Sequence, residues 1–206
     1  MNKKVFVLGG ENHMNWMEDL GFTPTKTFNE AGFIFFTGGT DVNPKLYGQP
    51  RHRYTERSDI YRDEQEVKFF NEAKKRGMGM LGICRGNQFL AVMNGAELIQ
   101  HSAHPGYHKI TLFDGRVIDI NSTHHQQIDL TKATDYELLG WAEKLSPFHE
   151  NGYGAVNVPK DYKEPEIIWW PKTKCLSTQG HCEWLPNSHI YPKTMREFVQ
   201  KYFLTN

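Results

Sequence analysis

Short, continuously apolar runs alternate along the chain with stretches in which apolar residues recur at helical spacing. That alternation predicts a layered α/β fold rather than a sandwich or a bundle. Residues 5–8, 33–36 and 78–83 read as buried strands. Between the last two, residues 59–76 are rich in Glu, Lys and Arg, carry Val67, Phe70 and Ala73 on one stripe, and precede Gly77, where a helix would stop. A helix in that place is a crossover between parallel strands. Residues 110–113 and 116–120 flank Asp114-Gly115, a strong signal for a tight hairpin and hence for a small antiparallel excursion. Residues 166–170 and 175–178 are expected as strands, and 191–203 as a closing amphipathic helix beginning at Pro192. No repeat, low-complexity tract or linker interrupts the pattern, so a single domain over residues 1–206 is expected.

Composition narrows the function. The chain has 206 residues, 38% of them hydrophobic and 23% charged, which suits a soluble protein with a real core. Twenty-four basic residues balance twenty-four acidic ones, so nothing electrostatic favours nucleic acid or an anionic membrane surface. The apolar run near the start is too short for a signal peptide, and no stretch reaches the roughly 20 apolar residues of a membrane span. Three cysteines, an odd number, argue against a disulfide framework and for the reducing cytoplasm, which leaves a thiol free for chemistry.

The segment around Cys84 is the most informative. An apolar strand runs into Gly82-Ile83-Cys84-Arg85-Gly86 and then into a helix, the thiol version of a nucleophile elbow. A nucleophile on so sharp a turn takes a strained backbone conformation, and small neighbours let strand and helix approach. The start of the helix also favours thiolate over thiol. The plainer reading of a cysteine so placed is a buried core residue.

Four blocks in order resemble the class I glutamine amidotransferase-like family, in its gamma-glutamyl-gamma-aminobutyrate hydrolase and gamma-glutamyl hydrolase branch. They are Gly38-Gly39-Thr40-Asp41-Val42-Asn43-Pro44 with Tyr47; Arg62-Asp63 with Glu66; the elbow through Gln88; and Asn121-Ser122-Thr123-His124-His125-Gln126 together with Gln179-Gly180-His181-Cys182-Glu183-Trp184. The resemblance implies a flavodoxin-like α/β sandwich of three layers, with a central, mostly parallel sheet and the active site at the carboxyl ends of its strands. It implies a triad of Cys84, His181 and Glu183. The chemistry of these residue types agrees, since a thiol needs a base and the base needs a group to fix its tautomer. It places the amides of Gly39 and Arg85 in an oxyanion hole, and Gly38, Gln88, Ser122, Thr123, His124 and His125 around the substrate. On residue type alone Gln88 would be read as exposed, and His13, His52, His149 and His189 as surface or core histidines.

His124 and His125, with His101, His104 and His108 upstream, invite a metal reading. Adjacent strand residues face opposite ways and no Cys-x-x-Cys accompanies them, so no metal site and no cofactor are expected. Where the family carries a bulky residue and a proline beside the catalytic histidine, this chain has Gly180 and Cys182, which predicts a more flexible loop. Little chain lies between Ile99 and Lys109 for the loop that helps define the leaving-group side in the family. The expected function is hydrolysis of the gamma-glutamyl amide of a small compound through a glutamyl thioester. One rival is a glutaminase subunit passing ammonia to a separate synthetase partner; another is a non-catalytic module binding a gamma-glutamyl ligand or a protein.

Overall fold

Phe33-Ile34-Phe35-Phe36 is fully buried, and its side chains divide the core. Phe33 and Phe35 join one apolar cluster, Ile34 and Phe36 the other, as the two-residue period of a strand buried on both faces requires. The computed structural model describes residues 2–104 and 106–204. In chain order its principal elements are β1 (Lys4–Leu8), α1 (Glu11–Asp19), β2 (Thr23–Thr25), β3 (Phe33–Phe36), α2 (Ile60–Arg76), β4 (Gly79–Ile83) and α3 (Arg85–Met93). There follow β5 (Tyr107–Leu112), β6 (Val117–Asn121), β7 (Glu137–Glu143), β8 (Lys163–Trp170), β9 (Cys175–Thr178) and α4 (Ile190–Val199).

The nine strands form one sheet in the order β2-β1-β3-β4-β9-β8-β7-β5-β6. The first five run parallel to their neighbours, and the rest of the sheet is antiparallel. Helices α1 and α4 contribute Trp16, Met17, Tyr191 and Met195 to one cluster, and α2 and α3 contribute Phe70, Ala73, Phe89 and Leu90 to the other. The result is the three-layered α/β arrangement with a mainly parallel central sheet that the sequence predicts.

Local chemistry sets the element ends. Asp59 caps α2 by accepting from the Arg62 amide at 3.0 Å, and Gly77 ends it at φ 66°. The hairpin forms, but Asp114 keeps negative φ, and Gly115 at φ 85° closes a three-residue connection instead of a two-residue turn. The antiparallel wing is wider than the hairpin because β7 and β8 join it. Helix α4 starts at Ile190, two residues ahead of Pro192, with His189 Nδ1 accepting from the Tyr191 amide, and continues as a π-helical turn over Gln200–Leu204. Among the described residues no helix is long and apolar enough to cross a membrane.

Candidate active site

Adjacent parallel strands β3, β4 and β9 end beside one another, and the residues just beyond them are Gly38-Gly39, Cys84 and His181. Cys84 lies between β4 and α3 at φ 54°, ψ −112°, a conformation costly for any residue with a Cβ. Its amide donates to the Thr178 carbonyl of β9 at 2.9 Å, so the turn is tied to the strand that leads to His181. The flanking glycines leave no space: a Cβ on Gly82 would come within 2.7 Å of the Gly86 carbonyl, and one on Gly86 would overlap the Phe36 carbonyl.

His181 sits where β9 has given way to a short 3-10 turn, Cys182–Trp184. Its Nδ1 is 2.7 Å from Glu183 Oε1, and its ring stacks on Trp184 with centroids 3.7 Å apart. Burial disfavours a charged His181, yet hydrogen bonds with Cys84 and Glu183 prevail and raise its pKa to about 9. Asn121, at the end of β6, clamps the same residue. Its Oδ1 accepts from the His181 N–H and its Nδ2 donates to the His181 carbonyl, both at 2.9 Å. This clamp, the burial of Cys182, and the contact of Gly180 with Asn121 and Tyr191 pack the segment expected to be slack.

Gly38 lies against Cys84 and His181, and Gly39 has φ 153° with the Arg62 guanidinium filling the place a Cβ would take. Arg62 donates to the carbonyls of Thr37 and Gly38, each at 3.0 Å, and to Glu66 at 2.8 Å. The Arg85 side chain points away from the site and is buried against Asp63 and Glu66. As the first residue of α3, Arg85 has an amide without an intrahelical acceptor. The Arg62, Asp63 and Glu66 motif thus braces the Gly38-Gly39 loop against the elbow.

A cavity of about 300 Å³ opens over Cys84, lined among others by Gly38, Gly39, Gln88, Thr123, His124, His125 and His181. Ser122 is the expected wall residue that does not line it; its Oγ is 3.0 Å from His104 Nδ1. Gln88 is buried, not exposed, with its Nε2 donating to the Gln126 carbonyl. His124 and His125 diverge, as adjacent residues should. His124 Nδ1 contacts the Gln126 carbonyl at 2.7 Å, while His125 Nε2 is 3.2 Å from Asp41, which raises the His125 pKa.

Five lining residues were given no role from sequence: His13, Asp41, Glu56, Gln126 and Trp184. His13 comes from α1, whose polar sequence shows no clear stripe, and its Nε2 stands 3.8 Å from Glu183. Burial pushes its pKa down. Asp41, Gln126 and Trp184 lie inside the quoted motifs, which gave the only signal for them. Among the other histidines set aside, His52 and His149 approach Glu150 and Glu164, and His189 caps α4.

Comparison with known proteins gives matches in sequence over part of the chain and in fold over nearly all of it. The Peptidase C26 family profile matches residues 25–114. A protein of Mycobacterium tuberculosis provisionally named a glutamine amidotransferase is 33% identical over 117 residues, 47% of this chain and 38% of that one. Another of that provisional name, from Schizosaccharomyces pombe, is 32% identical over 171 residues, 72% of this chain and 64% of that one. The chain therefore spans less than two thirds of either relative. The solved structure of a glutamine amidotransferase from Thermotoga maritima superposes with a TM-score of 0.60 at 15% identity, covering 98% of this chain and 83% of that one. Over part of its length the chain is thus similar to Peptidase C26 and to proteins provisionally named glutamine amidotransferases, and it shares the fold of a solved glutamine amidotransferase.

Proposed function

We propose that the protein hydrolyses the gamma-glutamyl amide bond of a small gamma-glutamyl compound, with Cys84, His181 and Glu183 as its triad. The observation that carries this reading is the meeting of Cys84 and His181 in one cavity, with His181 Nδ1 2.7 Å from Glu183 Oε1. Cys84 Sγ attacks the gamma-carbonyl as thiolate, and the amides of Gly39 and Arg85 stabilise the oxyanion. His181, protonated at neutral pH, gives its proton to the departing amine as the tetrahedral intermediate collapses to a glutamyl thioester. The neutral imidazole then takes a proton from water, whose oxygen attacks the thioester, and returns it to the sulfur as glutamate leaves. Glu183 keeps the tautomer and stabilises each imidazolium. Gln88, Thr123, His124 and His125 hold the gamma-glutamyl group.

The test is glutamate release from free glutamine, gamma-glutamyl-gamma-aminobutyrate, gamma-glutamyl-putrescine and a gamma-glutamyl peptide, with Cys84→Ser as the blank. Turnover of one gamma-glutamyl amide, lost in Cys84→Ser, is the expected result. Turnover of glutamine alone favours a glutaminase with a synthetase partner, and an unreactive Cys84 favours a binding module.

A further inference from the structure

Behind the 122–125 wall lies a second group of polar side chains that the proposed hydrolysis does not use. His104, His108 and Glu166 each bring a potential ligand atom within 4.8 Å of the others. His104 Nε2 and His108 Nε2 are both 3.4 Å from Glu166 Oε1, and Glu164 Oε2 is 3.2 Å from the same His104 nitrogen. These side chains are at most 3% exposed. Yet His104 Nε2, both ring nitrogens of His108, Glu164 Oε2 and Glu166 Oε2 make no hydrogen bond. Such a concentration of buried, unsatisfied donors and acceptors is costly unless another group satisfies them.

The separations identify that group. Zinc bound at about 2.0–2.1 Å in a tetrahedron holds neighbouring ligand atoms about 3.3–3.4 Å apart, close to the distances seen here. The approaches are too poorly aligned for hydrogen bonds but natural for ligands that face a common ion. Outer contacts turn the right atoms inward. Ser122 Oγ occupies His104 Nδ1, leaving Nε2 as the ligating nitrogen, and the amides of Leu145 and Ser146 occupy Glu164 Oε1 at 2.8 and 3.1 Å, leaving Oε2. Glu164 and Glu166 are two apart on β8 and so share a face, and their two buried negative charges match one divalent cation.

We propose that this cluster is a zinc site, with His104 Nε2, His108 Nε2 and Glu166 Oε1 as ligands and Glu164 beside His104 adding its negative charge. The ion fastens the chain ahead of β5 to β8, and through Ser122 it supports the cavity wall. The site takes no ligand from the proposed triad, and it adjoins the cavity wall, where the His124 ring packs against His104 with centroids 4.3 Å apart.

The test uses the full chain carrying Cys84→Ala, because Cys84, His181 and Glu183 could themselves hold zinc. After equilibration with Zn²⁺ and desalting, the protein should retain one metal per chain by mass spectrometry of the elements. Its Tm should rise with added Zn²⁺, and Co²⁺ in its place should give the intense visible absorption of a tetrahedral ion. Adding His108→Asn or Glu166→Gln should weaken retention at least about tenfold. The Tm measurement needs neither variant, so the proposal stays exposed if both fail to fold. If the Cys84→Ala protein retains no zinc, or no more than the Glu166→Gln protein, the cluster is a metal-free charge network and the proposal is overturned.

Discussion

Asn121→Ala removes both arms of the clamp on His181 while leaving the side chains of the proposed triad, Cys84, His181 and Glu183, intact. The buried His181 N–H loses the partner it now meets at 2.9 Å, while the carbonyl keeps the Trp184 N–H at 3.3 Å. An orphaned buried group costs about 1–3 kcal/mol, so the unpartnered N–H predicts a loss of about 1–3 kcal/mol in unfolding free energy, the lower end applying if water enters the gap. The same change frees the segment that aims the imidazole, and a displacement of about 1 Å at such a position can cost about a hundredfold in rate. Urea unfolding at neutral pH with an unchanged m-value reads the first effect, and the kcat for glutamate release reads the second. KM should move little, because Gln88 and the 123–125 wall are untouched. A variant within about 0.5 kcal/mol of the parent, with its kcat intact, would refute the argument.

Three further predictions follow from other parts of the structure. The stability that protonated His181 contributes is fully present below its ordinary pKa of 6.5 and fades as pH rises through about 9, so the Tm gap between the parent and Glu183→Gln should be widest at low pH and shrink through that range; a gap independent of pH would contradict it. Arg85→Met strips Asp63 and Glu66 of their buried partner and should cost about 3–5 kcal/mol by chemical denaturation, a near-neutral result refuting the bracing role. Gly86→Ala should yield little soluble protein because its Cβ meets the Phe36 carbonyl, whereas Gly10→Ala, with nothing within 4 Å, should stay within about 0.5 kcal/mol of the parent.

The elements legible in the sequence are those whose local and long-range demands agree. Phe33–Phe36 is apolar throughout, both it and Cys175–Thr178 are fully buried, and α2 carries its cap at Asp59 and its stop at Gly77. Where charge is buried, pattern misleads. Strand β8 begins at Lys163, ahead of the expected start, because Glu164 is taken inside against His104 and backbone amides. Helix α1 has only Trp16 and Met17 buried, too few to mark a stripe, so His13 could not be placed near Glu183. For the site, the residues the motifs single out converge on one cavity, except Ser122, the Arg85 side chain and Glu183, which stands behind His181. Their neighbours Asp41, Glu56 and Trp184 owe their positions to tertiary packing.

The bond from the Cys84 amide to the Thr178 carbonyl joins segments separated by nearly half the chain. Strand β4 can pair with β3 well before β9 and the histidine beyond it have been made. Parallel pairing across such a separation is slow, because the loop must close before any contact rewards it. A growing chain therefore carries its thiol without the partner that would make it reactive. On the proposed mechanism, the order of the polypeptide itself withholds activity until β9 has docked.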